Sequence, residues 1–220
     1  MIPLVALLAG ALLPLALAPF NLWPLAFIAL GLWFYLLDRH THRAVLISWL
    51  FGVGKYAVGA SWIYVSIHEH GNAPVPLALG LVVLFVAGMA LFVAASGWLY
   101  RRCAPVQAAP VAASLAFVFS YGLIEWSLSW LLTGFPWLYS GYALLDTPLA
   151  VFAPYGGIQL LNLLVGALSA AGVVAILAWQ NKRLRWQAIG LLLLPWVLEL
   201  PARLPEWSQS TGVQEAALVQ

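Results

Sequence analysis

Charge is scarce in these 220 residues: 9 Lys and Arg and 7 Asp and Glu, or 7% of the chain. Soluble domains carry about 25% charged residues. With 64% of the chain apolar and 14% aromatic, too little polar material remains to cover a globular surface. That excludes a soluble enzyme and a disordered chain, and the missing basic footprint excludes a nucleic-acid-binding protein. Cysteine is nearly absent as well. The single Cys103 excludes an intrachain disulfide and a cysteine-rich metal site. The net charge of +2 identifies no partner, because where the charges fall matters more than their sum. What the chain does have is long apolar runs and 12 Trp, the composition of an integral membrane protein.

A spanning helix needs about 20 mostly apolar residues. Residues 1–37 contain no charged side chain, too long a run for one span. Pro19-Phe20-Asn21-Leu22-Trp23-Pro24 breaks it, two prolines bracketing a polar turn residue. A helical hairpin is predicted, 2–18 and 25–37. Ala16-Leu17-Ala18 has the spacing of a signal-peptidase site, but no basic region precedes it and a second apolar segment follows at once, so it is read as part of a span. Further spans are predicted over 44–66, 76–100, 111–132, 158–179 and 186–200. The expectation is an all-α polytopic membrane protein, a bundle of about seven transmembrane helices over 1–200.

The basic residues set the orientation. Arg39 and Arg43 lie in the second connection, Arg101 and Arg102 in the fourth, and Lys182, Arg183 and Arg185 in the sixth. The connections 19–24, 67–75 and 133–157 contain no Lys or Arg. Lys55 falls inside a span and Arg203 follows the last one. The even connections are therefore cytoplasmic, with the N-terminus inside and everything after residue 200 outside. Residues 201–212, with two prolines and a glycine, read as a linker. Residues 213–220 read as the opening of a buried strand. A strand needs partners, so a second, extracytoplasmic domain is expected to begin there.

Two ionisable residues lie within spans, Lys55 and Glu125, and such groups usually face a bundle interior. At 1.5 Å per residue they sit about 17 and about 21 Å from the cytoplasmic ends of their helices, close enough for a lysine to bridge. A structural ion pair is the favoured reading, and a proton or ion relay the alternative. The outer stretch 130–157 holds Trp130, Phe135, Trp137, Tyr139, Tyr142, Phe152 and Tyr155, with Asp146 its one charge. Loops in water are not so apolar. The stretch is expected in the outer headgroup layer, as an aromatic belt or a lipid-facing groove or lid. Trp62, Tyr64, Phe135, Trp137 and Tyr139 are the candidate lipid-facing residues. His68-Glu69-His70 has metal-binding residue types, but alternating positions without further ligands nearby make a poor cage, so no metal is assigned. His40 and His42 extend the cytoplasmic basic face, and Cys103 is a bystander beside Arg101 and Arg102. Gly52 and Gly59, like Gly166 and Ala170, offer small faces for close helix packing.

Three stretches resemble the membrane half of apolipoprotein N-acyltransferases: Ala18-Pro19-Phe20-Asn21-Leu22-Trp23-Pro24, Ser61-Trp62-Ile63-Tyr64-Val65-Ser66-Ile67-His68 and Thr133-Gly134-Phe135-Pro136-Trp137. Ala217-Leu218-Val219-Gln220 is similar to the first strand of that family's α/β nitrilase-like domain. One position departs: the family usually carries an arginine three residues after the glutamate, where Leu128 follows Glu125. The resemblance implies acyl transfer in two steps. A cysteine takes an acyl chain from a membrane phospholipid as a thioester, and the N-terminal diacylglyceryl-cysteine of an apolipoprotein receives it. The cysteine and its Glu and Lys helpers belong to the nitrilase-like domain, so none of the residues here is assigned a catalytic role. The chain is expected to be inactive alone, with that domain its partner in cis or in trans, in the bacterial inner membrane, and with no cofactor and no nucleic acid. The alternatives are a non-enzymatic scaffold or degenerate fragment, and a small transporter using Lys55 and Glu125. Against the transporter stand the lack of an internal repeat and of broken helices at the midplane.

Overall fold

The computed structural model describes residues 1–104 and 109–202, and every regular element among them is helical. The chain opens with α1 (Ile2–Leu12), continued by one tight 3₁₀ turn, Leu13–Ala16. The break foreseen at Pro19–Pro24 is a compact turn with Asn21 in the left-handed region and Leu22 N–H bonded to Leu15 O at 3.2 Å. Pro24 then starts α2 (Pro24–Arg39), its fixed φ suiting the first helical position. The remaining helices are α3 (Ala44–Gly59), α4 (Trp62–Val65), α5 (Val75–Cys103), α6 (Pro110–Ser127), α7 (Ala153–Leu177) and α8 (Lys182–Ala202). Val75–Cys103 and Pro148–Leu177 are each long and apolar enough to cross a membrane.

Two predicted spans end differently. The segment 44–66 is not one straight rod: Thr41–Gly59 and Trp62–His70 meet at 53°, and the pair makes a third crossing if counted together. The bend lies at Gly59 and Ala60, where Leu138 fills the space a Cβ on Gly59 would need, at 2.6 Å. The span 111–132 is helical only to Ser127. Ser127 and Ser129 bond back to the carbonyls of Ile124 and Trp126 at 2.7 and 2.6 Å, offering the backbone an alternative to another helical turn. From Leu131 to Phe152 the chain runs through short 3₁₀ turns. The linker from residue 203 onward and the strand expected over 213–220 lie outside the described residues.

Packing centres on α3, which lies between α1 and α5, while α7 contacts α2, α6 and α8. The α1–α3 contact is backbone on backbone. A Cβ on Gly10 would strike the Phe51 carbonyl, and one on Gly54 the Leu7 carbonyl, so both positions require glycine. Gly52 serves α5 in the same way, facing Ala90 at 2.9 Å. Close approach through small residues is how helices gain dispersion contacts where lipid supplies no hydrophobic drive. The centre of the bundle is aromatic. Trp33 stacks on Phe51 at 4.5 Å and meets Phe117 edge-on at 5.3 Å. Its indole N–H donates to Ser48 Oγ at 3.0 Å, so the one polar atom of the ring is satisfied.

The ends of the helices sort the charges. Arg39 ends α2 and Arg43 precedes α3; the last turns of α5, with Arg101 and Arg102, lie beside the start of α3, where Gly97 faces Ala44 and Ser48. The C-terminal parts of α2 and α7 lie together, Gly31 facing Ser169 and Val173, and α8 begins at Lys182 just beyond. The aromatic stretch 130–152 occupies the opposite end.

Candidate aromatic and ion-pair site

The turn Thr133-Gly134-Phe135-Pro136-Trp137 is built on three successive left-handed residues, Leu132, Thr133 and Gly134, with φ of 52, 73 and 81°. For the two non-glycine residues that conformation costs roughly 1–2 kcal/mol each. Two hydrogen bonds offset part of it, Phe135 N–H to Leu128 O at 2.8 Å and Gly134 N–H to Leu131 O at 3.0 Å. Gly134 is also pressed on the Ser129 carbonyl, where a Cβ would stand at 2.8 Å. Pro136 then opens a 3₁₀ turn that throws Trp137 outward. Trp137 is 64% exposed and meets Trp62, itself 49% exposed, with ring centres 5.9 Å apart. Phe135 goes the other way, onto Phe85 at 5.3 Å and Tyr56 at 6.0 Å. One ring of the turn faces outward while its neighbour anchors the turn to α3 and α5.

The other two aromatic candidates are placed differently. Tyr64 is half-buried on α4 and packs on His68, whose ring nitrogen bonds to the Ala73 carbonyl at 2.8 Å. Tyr139 was expected to face lipid and instead is buried, at 2% exposure. The extended backbone at Tyr139 turns the chain back inward between two 3₁₀ turns, and Ser140 and Gly141 follow it into the bundle. Its hydroxyl has no partner in hydrogen-bond geometry among the described residues.

Beneath the turn, Lys55 Nζ donates to Glu125 Oε1 at 2.7 Å, joining α3 to α6. Both residues are buried, at 2% and 3% exposure, and the ammonium also stands 5.4 Å from the Tyr56 ring centre. Glu125 Oε2 has no partner among the described residues. A second polar set lies nearby and was not foreseen. The Tyr121 hydroxyl bonds to Ser140 Oγ, and Asn162 Oδ1 accepts from Gly141 N–H at 2.8 Å and Ser140 Oγ at 3.4 Å. Asn162 Nδ2 donates to Gln159 Oε1 at 3.1 Å. These bonds tie the stretch 130–152 to α6 and α7. Two amides, Gln159 and Asn162, in the apolar run 158–179 were the available signal, since such groups usually bond across helices. Leu128 is buried at the end of α6, and Cys103 is exposed at the basic end of α5, far along the chain from these groups.

Residues 9–171, from α1 through most of α7, match the family model described as the apolipoprotein N-acyltransferase N-terminal domain. The chain belongs to the apolipoprotein N-acyltransferase family. The matched span contains the Lys55–Glu125 pair, the Trp62–Trp137 contact and the Tyr121–Ser140–Asn162 set. The chain is similar to apolipoprotein N-acyltransferases of Pseudomonas paraeruginosa and Azotobacter vinelandii, each 44% identical over 211 residues and 95% of this chain. It is also similar to that of Coxiella burnetii, 41% identical over 198 residues and 88% of the chain. The chain spans about two fifths of the length of these curated relatives, 41%, 41% and 40% respectively.

Proposed function

We propose that these 220 residues form the membrane domain of an apolipoprotein N-acyltransferase and deliver phospholipid to the nitrilase-like part of that enzyme, joined in cis or in trans. The domain crosses the bacterial inner membrane seven times, the bent α3–α4 pair counting as one crossing. Seven of its basic residues gather at the cytoplasmic end, as the positive-inside rule requires. The N-terminus is then cytoplasmic, and the outer turns face the compartment in which lipoproteins are matured. The acyl chain passes from phospholipid to a thioester and on to the N-terminal diacylglyceryl-cysteine of an apolipoprotein. The thiolate, its base and its oxyanion stabiliser belong to the nitrilase-like part. Cys103 takes no part, because it stands at the cytoplasmic end.

The observation that carries this reading is the outward-facing Trp62–Trp137 pair on a turn anchored from below by Phe135. Indole rings are stable where their faces meet acyl chains and their N–H groups meet headgroups. A rigid pair of them at the outer rim holds a phospholipid where its ester can be reached from outside. Lys55 and Glu125 act structurally, fixing α3 against α6 so that the turn above them keeps its place. The test is a chimera: residues 1–200 of this chain replace the corresponding part of the Pseudomonas paraeruginosa relative. The chimera should N-acylate an apolipoprotein substrate, and Trp137→Ala should slow it while leaving it inserted and folded. A folded, inserted chimera with no acyl transfer contradicts the proposal.

A further inference from the structure

On the side of the bundle away from the α1–α3–α5 packing, α2 and α8 flank α7 and leave a groove of about 720 Å³ between them. Specific small-molecule sites run roughly 300–1,000 Å³, so the space is ligand-sized. Its wall is almost wholly apolar, running along α2 from Trp23 to Tyr35 and along α7 to Leu177, with Trp196 of α8 opposite. Twelve residues of helix make that wall about 18 Å long, slightly more than half of the roughly 30 Å hydrocarbon core. The rim residues Tyr35, Leu177 and Trp196 are 38, 44 and 38% exposed, so the groove is open along its side. The floor is open at Gly172, where a Cβ would meet nothing within 4 Å.

The end of this groove at Tyr35 and Leu177 gathers cations. The Arg39 guanidinium stands 5.7 Å from the centre of the Tyr35 ring, which lines the groove. Two residues past Leu177, Trp179 carries the Arg185 guanidinium at 4.6 Å, and Trp186 shares it at 5.7 Å. Neither arginine is in an ion pair among the described residues, where Lys55–Glu125 is the one salt bridge. Lys182 and Arg183 add two further cations at the start of α8. An apolar slot one leaflet long, capped by cations resting on interfacial rings, complements a single chemistry: an acyl chain attached to an anionic head.

The geometry points to a binding site for one anionic glycerophospholipid of the cytoplasmic leaflet, its acyl chain in the α2–α7–α8 groove and its phosphate between Arg39 and Arg185. Its ester linkages lie at the end of the bundle opposite the Trp62–Trp137 turn, so this lipid is held and not consumed. It fills the flank of α7, whose outer half carries Asn162 and through it the outer turns. The inference rests on the membrane-domain reading above.

Native mass spectrometry of the full chain in detergent tests it, with dioleoyl phosphatidylglycerol or dioleoyl phosphatidylcholine as the probe. The chain should retain one phosphatidylglycerol in preference to phosphatidylcholine. Two interfacial arginines at about 1 kcal/mol each, with 1.4 kcal/mol per tenfold, set the preference at about thirtyfold. Gly172→Leu, which fills an open space and meets no backbone, should lose the retained lipid. Arg39→Gln with Arg185→Gln should reduce the preference to near unity, and it decides the matter if Gly172→Leu does not fold. Equal retention of the two lipids by the unaltered chain overturns the inference, as does full retention by folded Gly172→Leu. A dimer that Gly172→Leu dissolves also overturns it, by making a second copy the occupant. No phosphatidylglycerol retained by the unaltered chain, with acylation by the chimera intact, removes this inference alone, and lost acylation by the chimera with retention intact removes only the reading it rests on.

Discussion

Neutralising one member of the Lys55–Glu125 pair should cost far more than neutralising both. The two side chains are 3 and 4% exposed and meet at 2.7 Å. Their attraction offsets desolvation only while both are present. Removing one partner of a buried pair leaves an uncompensated charge and typically costs about 3–5 kcal/mol, whereas replacing both by apolar groups of similar size is often neutral or stabilising. Lys55→Met alone leaves Glu125 with both carboxylate oxygens unpartnered, since Oε2 already lacks one. Glu125→Leu alone leaves the ammonium only the face of Tyr56, 5.4 Å away, a contact of about 0.5–2 kcal/mol. Each single variant should lose about 3 kcal/mol or more, and the double variant should recover most of it, a coupling energy of at least about 2 kcal/mol. Reversible unfolding in mixed detergent micelles, followed by circular dichroism and run as a double-mutant cycle, measures this. Single losses below about 0.5 kcal/mol, or a double variant as unstable as the sum of the singles, would refute the structural role and revive the relay.

Two further outcomes follow from packing and from charge. Gly54→Ala should destabilise the bundle by about 1–3 kcal/mol, because its Cβ meets the backbone of α1, while Gly172→Ala, in open space, should be neutral or gain up to about 1 kcal/mol; thermal melts of the two variants side by side check the contrast. Reporter fusions after Arg43, His70, Arg102, Asp146 and Arg185 should alternate between cytoplasm and outside in that order, and a cytoplasmic signal at Asp146 would contradict the orientation.

Much of this architecture was legible in the sequence because a membrane restricts what a chain can do. Few charges, long apolar runs and clustered Lys and Arg mark helix ends without any tertiary information, and Pro24 begins α2 where the sequence places a helix after the turn. The bend at Gly59 was not legible, because the residues on both sides of it within 44–66 are mostly apolar and the side chain packed on Gly59, Leu138, is far along the chain. The non-helical stretch after Ser127 was hidden for a related reason: Ser129-Trp130-Leu131-Leu132 is apolar enough to continue a span, and local serine bonds decide otherwise. Tyr139 shows the limit of reading aromatic residues as interfacial. Trp137 and Tyr139 are two residues apart in one stretch, yet one is exposed and the other buried, because Ser140 and Gly141 are drawn in by Tyr121 and Asn162. Gly10 and Gly54 escaped notice because small residues are common throughout the chain and only the fold shows which of them meet.

Lipid contact at the outer turn is tested most directly by the fluorescence of Trp137 itself, taken as the difference between the chain and its Trp137→Phe variant in proteoliposomes. Phospholipid brominated in the upper acyl chain should quench that difference signal strongly, and aqueous iodide weakly, as expected for a ring at the headgroup boundary beside Trp62. Quenching by iodide equal to or greater than that by brominated lipid would make the segment a solvent loop and contradict the lipid-delivering role.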